Sequence, residues 1–299
     1  MRVLVLGVSG MLGHAVFKAL LAKPGVTALG VVRGTAAQSR LPKAWHSHIQ
    51  FGVDLGVAAS QESQIASVLA QLTPTVVINC IGLVKQRGEA SNAIAAITLN
   101  ALLPQVLASQ CILQQLALIH VSTDCVFSGS RGLYTEDDLP DALDLYGRSK
   151  LLGEVVGPRI LTLRTSIIGH ELPARGKSPQ GLLEWFLAQK GSCFGFSQAI
   201  FSGLPTPILA KLLCDTVISS VLAGKLSGVY HVAAKPISKY NLLQMIAQIY
   251  HKTIEIEEDP SLVIDRSLDG RRFQEATQFI APSWPEMIHT MHTQREINV

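Results

Sequence analysis

Cysteine is scarce in this sequence, and its few copies are not spaced as a metal or disulfide motif. The 299 residues contain no C-x-x-C pair among their five cysteines, which are Cys80, Cys111, Cys125, Cys193 and Cys214. The nine histidines also lack H-E-x-x-H or a similar ligand spacing. Zinc sites and disulfide frameworks are recognised by such spacings. We therefore expect no metal and no disulfide framework.

Runs of one charge and long apolar runs are also missing. The 25 basic and 22 acidic residues are mixed along the chain and leave a net charge of +3. A nucleic-acid stripe or a polybasic membrane patch needs clustered basic residues. Uninterrupted apolar stretches of about 18 residues are absent, and the N-terminus opens directly into a strand. These features predict a cytoplasmic protein with a small-molecule partner, no nucleic acid and no membrane insertion.

What the sequence does have is 48% hydrophobic residues, in alternating strand and helix patterns. The run Val3 to Leu6 is apolar without alternation, as in a strand buried on both faces of a parallel sheet. From Met11 to Ala22 the apolar residues recur at helical spacing. This alternation predicts an α/β fold with a doubly wound parallel sheet of the Rossmann type. The further predicted strands cover 27–32, 49–51, 75–81, 116–122 and 161–165, and the helices 64–71, 99–110 and 145–156.

The pattern changes after Gly169, and the change predicts a smaller C-terminal substrate lobe. A loop rich in glycine, proline and charge covers 170–181, and Val229 to Ala233 is predicted to return to the sheet as a strand. From Ser238 onward we expect one helix followed by irregular, proline-containing segments. The predicted organisation is a Rossmann domain over 1–168 plus about 205–234, and a smaller substrate-binding lobe over about 169–204 and 235–299.

A glycine motif lies between the first strand and the first helix. Gly7, Gly10 and Gly13 have the spacing G-x-x-G-x-x-G. Glycine at such places permits a tight turn, close approach of a pyrophosphate, and close packing of helix against strand. The helix N-terminus also attracts the anion. The motif predicts a dinucleotide site, with a ligand-free glycine turn as the alternative.

Arg33 ends the second predicted strand, where an NAD site normally carries an acidic residue for the ribose hydroxyls. A guanidinium suits a 2′-phosphate by its charge and its planar set of donors. NADPH is therefore the predicted cofactor, and a solvated strand-end arginine is the alternative. Asp54 and Leu55 follow the third strand and are predicted to bracket the adenine, although an Asp there also suits a simple turn.

A third group of residues suggests the chemistry. Thr123 follows a predicted strand, and Tyr146 and Lys150 stand four apart on a predicted helix, so both point to one face. We expect the Lys150 ammonium to lower the pKa of the Tyr146 phenol, which could then protonate an alkoxide. Thr123 could hold the carbonyl oxygen against the nicotinamide, and Lys150 could reach the cofactor ribose. A surface pair on a helix is the alternative interpretation.

These motifs resemble the dTDP-4-dehydrorhamnose reductases, densely over 1–168 and thinly beyond about 235. The resemblance implies an extended short-chain dehydrogenase fold, NAD(P)H, and a nucleotide-linked 4-keto-6-deoxy sugar. It implies Thr123, Tyr146 and Lys150 as the catalytic trio. The segments that carry it are Gly7 to Gly13, Ser122 to Phe127, Tyr134-x-Glu136, Tyr146 to Glu154, Leu163 to Ser166, Gly203 to Thr206, Gly228 to His231 and the region of Arg266.

Further site residues are expected along with this resemblance. A homodimer is the candidate assembly. Cofactor contacts are expected from Met11, Leu12, Cys80, Ile81, Gly82 and Asn100, and substrate contacts from Cys125, Phe127 and Arg266.

Two positions depart from the family pattern. Cys125 stands where the reductases usually have an aromatic residue, so a UDP-linked N-acetylamino sugar is an alternative substrate. Ala15 stands where some members carry a magnesium-binding glutamate, so no metal is expected. Nothing near Cys125 in the sequence supplies a base, which favours a packing or substrate-contact role over a nucleophile.

Other functions on the same scaffold stay open at this stage. Related dehydratases carry Asp then Glu after the threonine, because elimination of water needs two proton transfers, and here Cys125 replaces the Glu. An epimerase would use the same trio. A non-catalytic NADP(H)-sensing protein would typically lose the tyrosine, whereas Tyr146 and Lys150 are both present.

Overall fold

The structure is a computed structural model that describes residues 1–83, 92–172 and 181–295. The predicted loop over 170–181 lies mostly outside the described residues. The strands within these ranges are β1 (Arg2–Leu6), β2 (Thr27–Val32), β3 (Ile49–Phe51), β4 (Val76–Asn79), β5 (Ala117–Val121), β6 (Ile160–Arg164), β7 (Ile167–Ile168), β8 (Ser192–Phe196), β9 (Ala199–Phe201), β10 (Leu204–Pro205), β11 (Gly228–His231), β12 (Ile237–Ser238), β13 (Glu255–Asp259) and β14 (Ile264–Asp265).

The helices alternate with the strands through the first half of the chain. Two of the junctions between consecutive helices are π-helical, at Ile97–Leu102 and Leu213–Val217. The α-helices of the described ranges are α1 (Met11–Leu21), α2 (Ala58–Leu72), α3 (Ala93–Ala96), α4 (Leu103–Leu113), α5 (Leu145–Leu152), α6 (Leu182–Ala188), α7 (Thr206–Leu212), α8 (Ile218–Leu222), α9 (Lys239–Ile249), α10 (Arg271–Thr277) and α11 (Trp284–Thr293).

Seven of the described strands form the main sheet, in the order β11-β6-β5-β4-β1-β2-β3, and every neighbouring pair is parallel. Strands β2 and β3 lie on one side of β1, and β4, β5 and β6 lie on the other. The chain therefore reverses its direction of growth between β1 and β4, which is the switch point where doubly wound sheets bind ligands. The predicted fold class is confirmed.

Both faces of this sheet are covered by helices, which explains the apolar runs without alternation. In β1, Val3 and Val5 point into one hydrophobic cluster, and Leu4 and Leu6 into a second. Successive side chains of a strand alternate between faces, so two buried faces require a continuous apolar run. Helices α1 and α7 pack in the first cluster and α2 and α4 in the second.

A smaller lobe follows β6 and is built from short strands and four helices of the described residues. Its sheets are β10-β7, β12-β9-β14 and β13-β8. Helix α9 packs against β8, β13 and α11. The cluster on the α1 side of the main sheet also contains Leu242 and Met287 of this lobe. The domain boundaries given above stay a prediction.

The prediction of irregular structure after the helix that begins near Ser238, which is α9, is wrong. Strands β13 and β14 and helices α10 and α11 lie there. In α11 the buried residues Trp284, Met287, Ile288 and Met291 recur at helical spacing, and Ser283 forms a capping box with Glu286. Proline is tolerated in the first turn of a helix, so Pro285 does not break α11.

The helix carrying the Tyr-Lys pair is shorter than predicted and ends at Leu152 instead of Val156. Gly153 follows it, and a Cβ added there would lie 1.8 Å from the Asn100 carbonyl oxygen. Only glycine fits at this position, just after the end of the helix.

One continuous helix, Ala93–Leu113, is long and apolar enough to cross a membrane by length and composition alone, with a mean hydropathy of 1.5. Half of its most apolar window is buried inside the protein. Core helices of globular proteins pass the same test.

Candidate functional site

The turn after β1 and the start of α1 form a glycine-lined cradle at the switch point of the sheet. Gly7 has φ +87°, and a Cβ added there would lie 3.1–3.2 Å from atoms of Ile81 and Cys80. A Cβ added to Gly13 would lie 2.1 Å from the Gly7 carbonyl oxygen. Gly10 is the N-cap of α1 and supplies no side-chain cap. The turn therefore leaves the first amides of the helix open to an anion such as a pyrophosphate.

The first two residues of α1 have different surroundings. Met11 is half-buried, and Leu12 is buried in the hydrophobic cluster beneath the helix. The side chain of Leu12 therefore supports the turn from below, whereas Met11 stays accessible at the helix start.

The residues predicted at the adenosine end lie after β2 and β3. Arg33 follows β2 directly, is exposed, and makes no hydrogen bond or ion pair with another described residue. The Asp54 carboxylate accepts a hydrogen bond from the Gly56 amide at 2.9 Å, which is the bond of a turn. Leu55 is buried in the cluster beneath α2. Arg33 thus lies exposed at the end of β2, and the Leu55 side chain packs in the core.

The segment 80–82 follows β4 and passes beside the glycine turn. Asn100 is fully buried and fixes the residue after this segment, because its Oδ1 accepts from the Leu83 amide at 2.7 Å and its Nδ2 donates to the Leu83 carbonyl at 3.1 Å. A Cβ added to Gly82 would lie 3.7 Å from Asn100 Oδ1 and 3.9 Å from Lys150 Nζ. Gly82 therefore lies next to Lys150 of the predicted trio.

The predicted catalytic residues meet where β5 ends beside α5. Thr123 comes two residues after β5 and is buried, and its side chain lies close enough to the Tyr146 phenol to influence its pKa. Lys150 is 3% exposed, and its Nζ donates to the carbonyl of Val121, the last residue of β5, at 2.8 Å. The Asp144 carboxylate caps α5 by accepting from the Gly147 amide at 2.9 Å. The structure thus brings Thr123, Tyr146 and Lys150 together at the carboxyl edge of the sheet.

The protonation of the trio differs from the prediction. Lys150 was expected to lower the pKa of Tyr146. Instead burial raises the pKa of Tyr146, the adjacent Cys125 and Asp124 act in the same direction, and the nearby Thr123 side chain opposes this only in part. Burial also lowers the pKa of Lys150 to about 8, and the Glu154 carboxylate opposes this shift. Desolvation is the largest cause of both shifts.

The residues predicted to contact substrate are divided between the site and the core. Burial, followed by the charge of Asp124, raises the pKa of the Cys125 thiol to about 12, which makes it a poor nucleophile. Arg266 donates from Nε to the Phe127 carbonyl at 2.8 Å, and its charge acts on Asp124 and Cys125.

The prediction of a substrate contact is wrong for the Phe127 ring. This ring is 0% exposed and stacks on Tyr134 with the ring centroids 4.2 Å apart. One 3-10 turn, Asp124–Val126, directs the chain back into the protein before Phe127. The backbone carbonyl of Phe127 remains available and holds Arg266.

Lys239 is a cationic residue of this region that the sequence analysis missed. It is the first residue of α9, half-buried, and burial lowers its pKa. The Asp124 carboxylate raises that pKa and the Arg266 guanidinium lowers it, so Lys239 lies near both charged groups. The sequence gives little indication of this role, since a lysine directly after an N-cap serine is common.

A cavity of about 790 Å³ lies beside α1, and neither Thr123, Tyr146 nor Lys150 lines it. Among the described residues that do line it, Met11 is the one predicted site residue. The described ranges contain no group of three or more His, Cys, Asp or Glu residues that could hold a metal ion. All five cysteines are free.

Comparison with known proteins places this geometry in a family. The model of the RmlD substrate binding domain matches residues 1–295. A probable low-salt glycan biosynthesis reductase of Haloferax volcanii is 32% identical over 187 residues, which are 60% of this chain and 60% of that protein. Methionine adenosyltransferase 2 subunit beta of Mus musculus is 29% identical over 153 residues, 51% of this chain and 41% of that protein. The chain thus spans less than two thirds of the length of these relatives.

A solved structure shows the same fold over the whole chain. The dTDP-4-dehydrorhamnose reductase of Bacillus anthracis, solved in complex with NADP, has a TM-score of 0.75 and 19% identity, with 99% of each chain covered. At that identity the likeness shows the fold alone.

Proposed function

Because the chain belongs to the RmlD substrate binding domain family, we propose that it is an NADPH-dependent reductase acting on the keto group of a nucleotide-linked 4-keto-6-deoxy sugar. The observation that carries the proposal is the meeting of Thr123, Tyr146 and Lys150 beside Gly82, at the carboxyl edge of the sheet. The glycine cradle fits a dinucleotide, because side chains at Gly7 and Gly13 would occupy the space of the close turn.

Each residue of the trio has a role in this reaction. Bound NADPH supplies a hydride to the keto carbon. Thr123 orients the keto oxygen, and the Tyr146 hydroxyl donates its proton to the alkoxide that develops there. Burial keeps the Tyr146 phenol protonated at neutral pH, as a proton donor must be. Lys150, with a pKa of about 8, keeps its positive charge at neutral pH and holds the cofactor ribose.

The remaining predicted residues complete the proposed site. Arg33 selects the 2′-phosphate of NADPH by charge. Residues 1–168 plus about 205–234 bind the cofactor, and about 169–204 and 235–299 bind the sugar nucleotide. Cys125 and Arg266 face the sugar, and the small Cys125 side chain leaves room for a UDP-linked N-acetylamino sugar as the alternative substrate. The enzyme would act in the cytoplasm on a precursor of cell-surface polysaccharide.

A second candidate function is non-catalytic regulation. The match to a protein named methionine adenosyltransferase 2 subunit beta favours this candidate, in which the fold binds NADP(H) and a partner protein. The presence of both Tyr146 and Lys150 in one buried site supports the enzyme instead, because a purely regulatory protein has no need of a proton donor there. An epimerase is the remaining alternative on this scaffold.

The test is to incubate the protein with NADPH and a panel of dTDP- and UDP-linked 4-keto sugars and to follow the absorbance of the reduced nicotinamide. We expect one NADPH to be consumed for each keto sugar reduced. Hexose nucleotides without a keto group are the control and should stay unchanged. A tightly bound cofactor with no net NADPH use, together with interconversion of hexoses, would indicate an epimerase or dehydratase. NADPH binding without turnover of any sugar would favour the regulator.

A further inference from the structure

A buried chain of hydrogen bonds lies directly behind the trio. The Glu154 carboxylate accepts three hydrogen bonds, from Ser122 Oγ at 2.8 Å, Arg164 Nε at 2.9 Å and Arg164 Nη2 at 2.7 Å. The side chains of Glu154 and Arg164 are 7% and 6% exposed. An arginine has only donors, so Arg164 Nη1 donates to His231 Nε2 at 3.2 Å, and His231 Nδ1 donates to the Tyr134 carbonyl at 3.0 Å.

This chain ties the carboxyl ends of three neighbouring strands to the end of α5. Ser122 follows β5, Arg164 ends β6 and His231 ends β11. Lys150 and Glu154 stand four apart, and they bind consecutive residues of one strand end, Val121 and Ser122. The Lys150 ammonium and the Glu154 carboxylate are therefore held side by side. Since neither can move without breaking a buried hydrogen bond, the arrangement is fixed before any ligand binds.

Glu154 is the anionic neighbour of Lys150 among the described residues that face it. The Cys80 thiol approaches from the end of β4 and is uncharged, because burial raises its pKa to about 12. His120 on β5 also interacts with Lys150, and burial lowers its pKa well below the ordinary histidine range, so it is neutral. His231 is neutral as well, with its pKa lowered to about 4 by burial. Arg164, the remaining charge, pairs with both oxygens of the Glu154 carboxylate.

We propose that Glu154 is a positioning residue for Lys150, which holds the ammonium in its charged form against the end of β5 while Arg164 limits the strength of that effect. This inference rests on the proposed function, because Lys150 matters only if it binds the cofactor ribose. Arg164 suits the second of these roles, because it binds both oxygens of the Glu154 carboxylate. The carboxylate therefore cannot move to form a direct ion pair with Lys150.

The test measures the dissociation constant of NADPH by fluorescence from about pH 6.5 to about pH 9.5, a range that brackets an amine with a lowered pKa. In the wild type we expect affinity to fall as the pH rises through about 8, where Lys150 loses its charge. In Glu154→Gln the same fall should begin at lower pH, by about one unit, because the neighbouring negative charge is gone. In Arg164→Gln the fall in affinity should occur at higher pH, because the Glu154 charge is no longer balanced by Arg164 and stabilises the Lys150 ammonium more strongly.

Two controls identify the titrating group and the source of the shift. Lys150→Met should remove the fall altogether. Glu136→Gln removes another carboxylate near this chain, one that accepts from the His231 amide at 2.8 Å, and it should leave the fall where the wild type has it.

The opposite shifts distinguish positioning from simple structural support. A buried ion pair that only supports the fold would lower the melting temperature in both variants and leave the pH of the fall unchanged, and that result overturns the inference. If one variant fails to fold, the other still gives a shift of defined direction. Absence of NADPH binding by the wild type overturns the proposed function and this inference with it.

Discussion

At the scale of single residues, burial decides which groups of the site carry a proton. The Tyr146 phenol is kept neutral, and Lys150 is close to losing its charge at mildly alkaline pH. A neutral phenol beside a charged amine is the state that a proton donor needs before reduction of a keto group. The same surroundings make the Cys125 thiol unreactive at neutral pH.

Tyr146→Phe tests the proton donor. Turnover of a 4-keto sugar should fall by about 10²–10⁴-fold, because the lost proton transfer occurs only in the transition state. The dissociation constant of NADPH should stay close to that of the wild type, since the ring remains in place. Steady-state kinetics and fluorescence titration provide the two measurements. Wild-type turnover in this variant would show that another group is the acid.

Arg33→Ala tests the cofactor preference. The exposed Arg33 makes no competing ion pair with a described residue, so its charge is available to a 2′-phosphate. One charge-assisted contact is worth about 1.5–3 kcal/mol. The variant should therefore lose about ten- to a hundredfold in NADPH affinity and little in NADH affinity. Equal affinity of the wild type for both cofactors would contradict the assignment.

At the scale of elements, the close packing of α1 on the β1 turn depends on a missing side chain. Gly13→Ala places a methyl group 2.1 Å from the Gly7 carbonyl oxygen, so the helix must move away from the strand. Forced overpacking of this kind costs about 1–3 kcal/mol. We expect a lower melting temperature together with weaker NADPH binding.

A second glycine variant provides the control for Gly13→Ala. Gly270→Ala adds a methyl group that meets nothing closer than 3.6 Å, so both stability and NADPH binding should be nearly unchanged. If Gly13→Ala also binds NADPH normally, the cradle is not the cofactor site.

The elements differ in how far the sequence predicts them. The strands buried on both faces of the sheet, such as β1 and β4, are predicted by their continuous apolar runs. The alternation of these strands with helices along the chain predicts the fold class. Helix α11 was missed because its prolines stand in and before its first turn, where they are compatible with a helix. Its buried spacing and its Ser283 cap were the better signals.

The site is predictable only where a local motif defines it. Thr123, Tyr146 and Lys150 belong to short motifs at strand and helix ends, so their positions follow from the sequence. Lys239 reaches the same region through β12 and α9, and such long-range placement leaves no pattern in the local sequence. The sign of the Tyr146 shift was also unpredictable, because it depends on how much water the folded chain excludes.

At the scale of the whole molecule, buried neutral histidines make stability depend on pH. Burial lowers the pKa of His231 from its ordinary value to about 4. The unfolded chain therefore binds more protons than the folded one between about pH 6.5 and pH 4. The free energy of unfolding should be highest above pH 6.5 and should fall as the pH drops through this range. Each unit of pKa shift is worth about 1.4 kcal/mol, so the loss due to His231 should be about 3 kcal/mol.

This acid sensitivity can be measured as the free energy of unfolding in urea at several pH values. The wild type should lose stability more steeply below pH 6.5 than His231→Asn, which has no proton to gain at this position. Parallel curves for the two proteins would show that His231 is not the group responsible. Carboxylates titrate in both proteins, so their contribution to the pH dependence of unfolding cancels when the two curves are compared.

The place of β11 in the sheet also bears on how the protein is made. This strand pairs with β6, yet the whole of β7 to β10 lies between them in the chain. During synthesis on the ribosome, β1 to β6 can assemble while the outer edge of β6 still has no neighbour. An open edge of unpaired amides and carbonyls is a template for pairing with other chains. Chaperone dependence and aggregation of nascent chains should therefore be greatest in the interval after β6 has emerged and before β11 arrives.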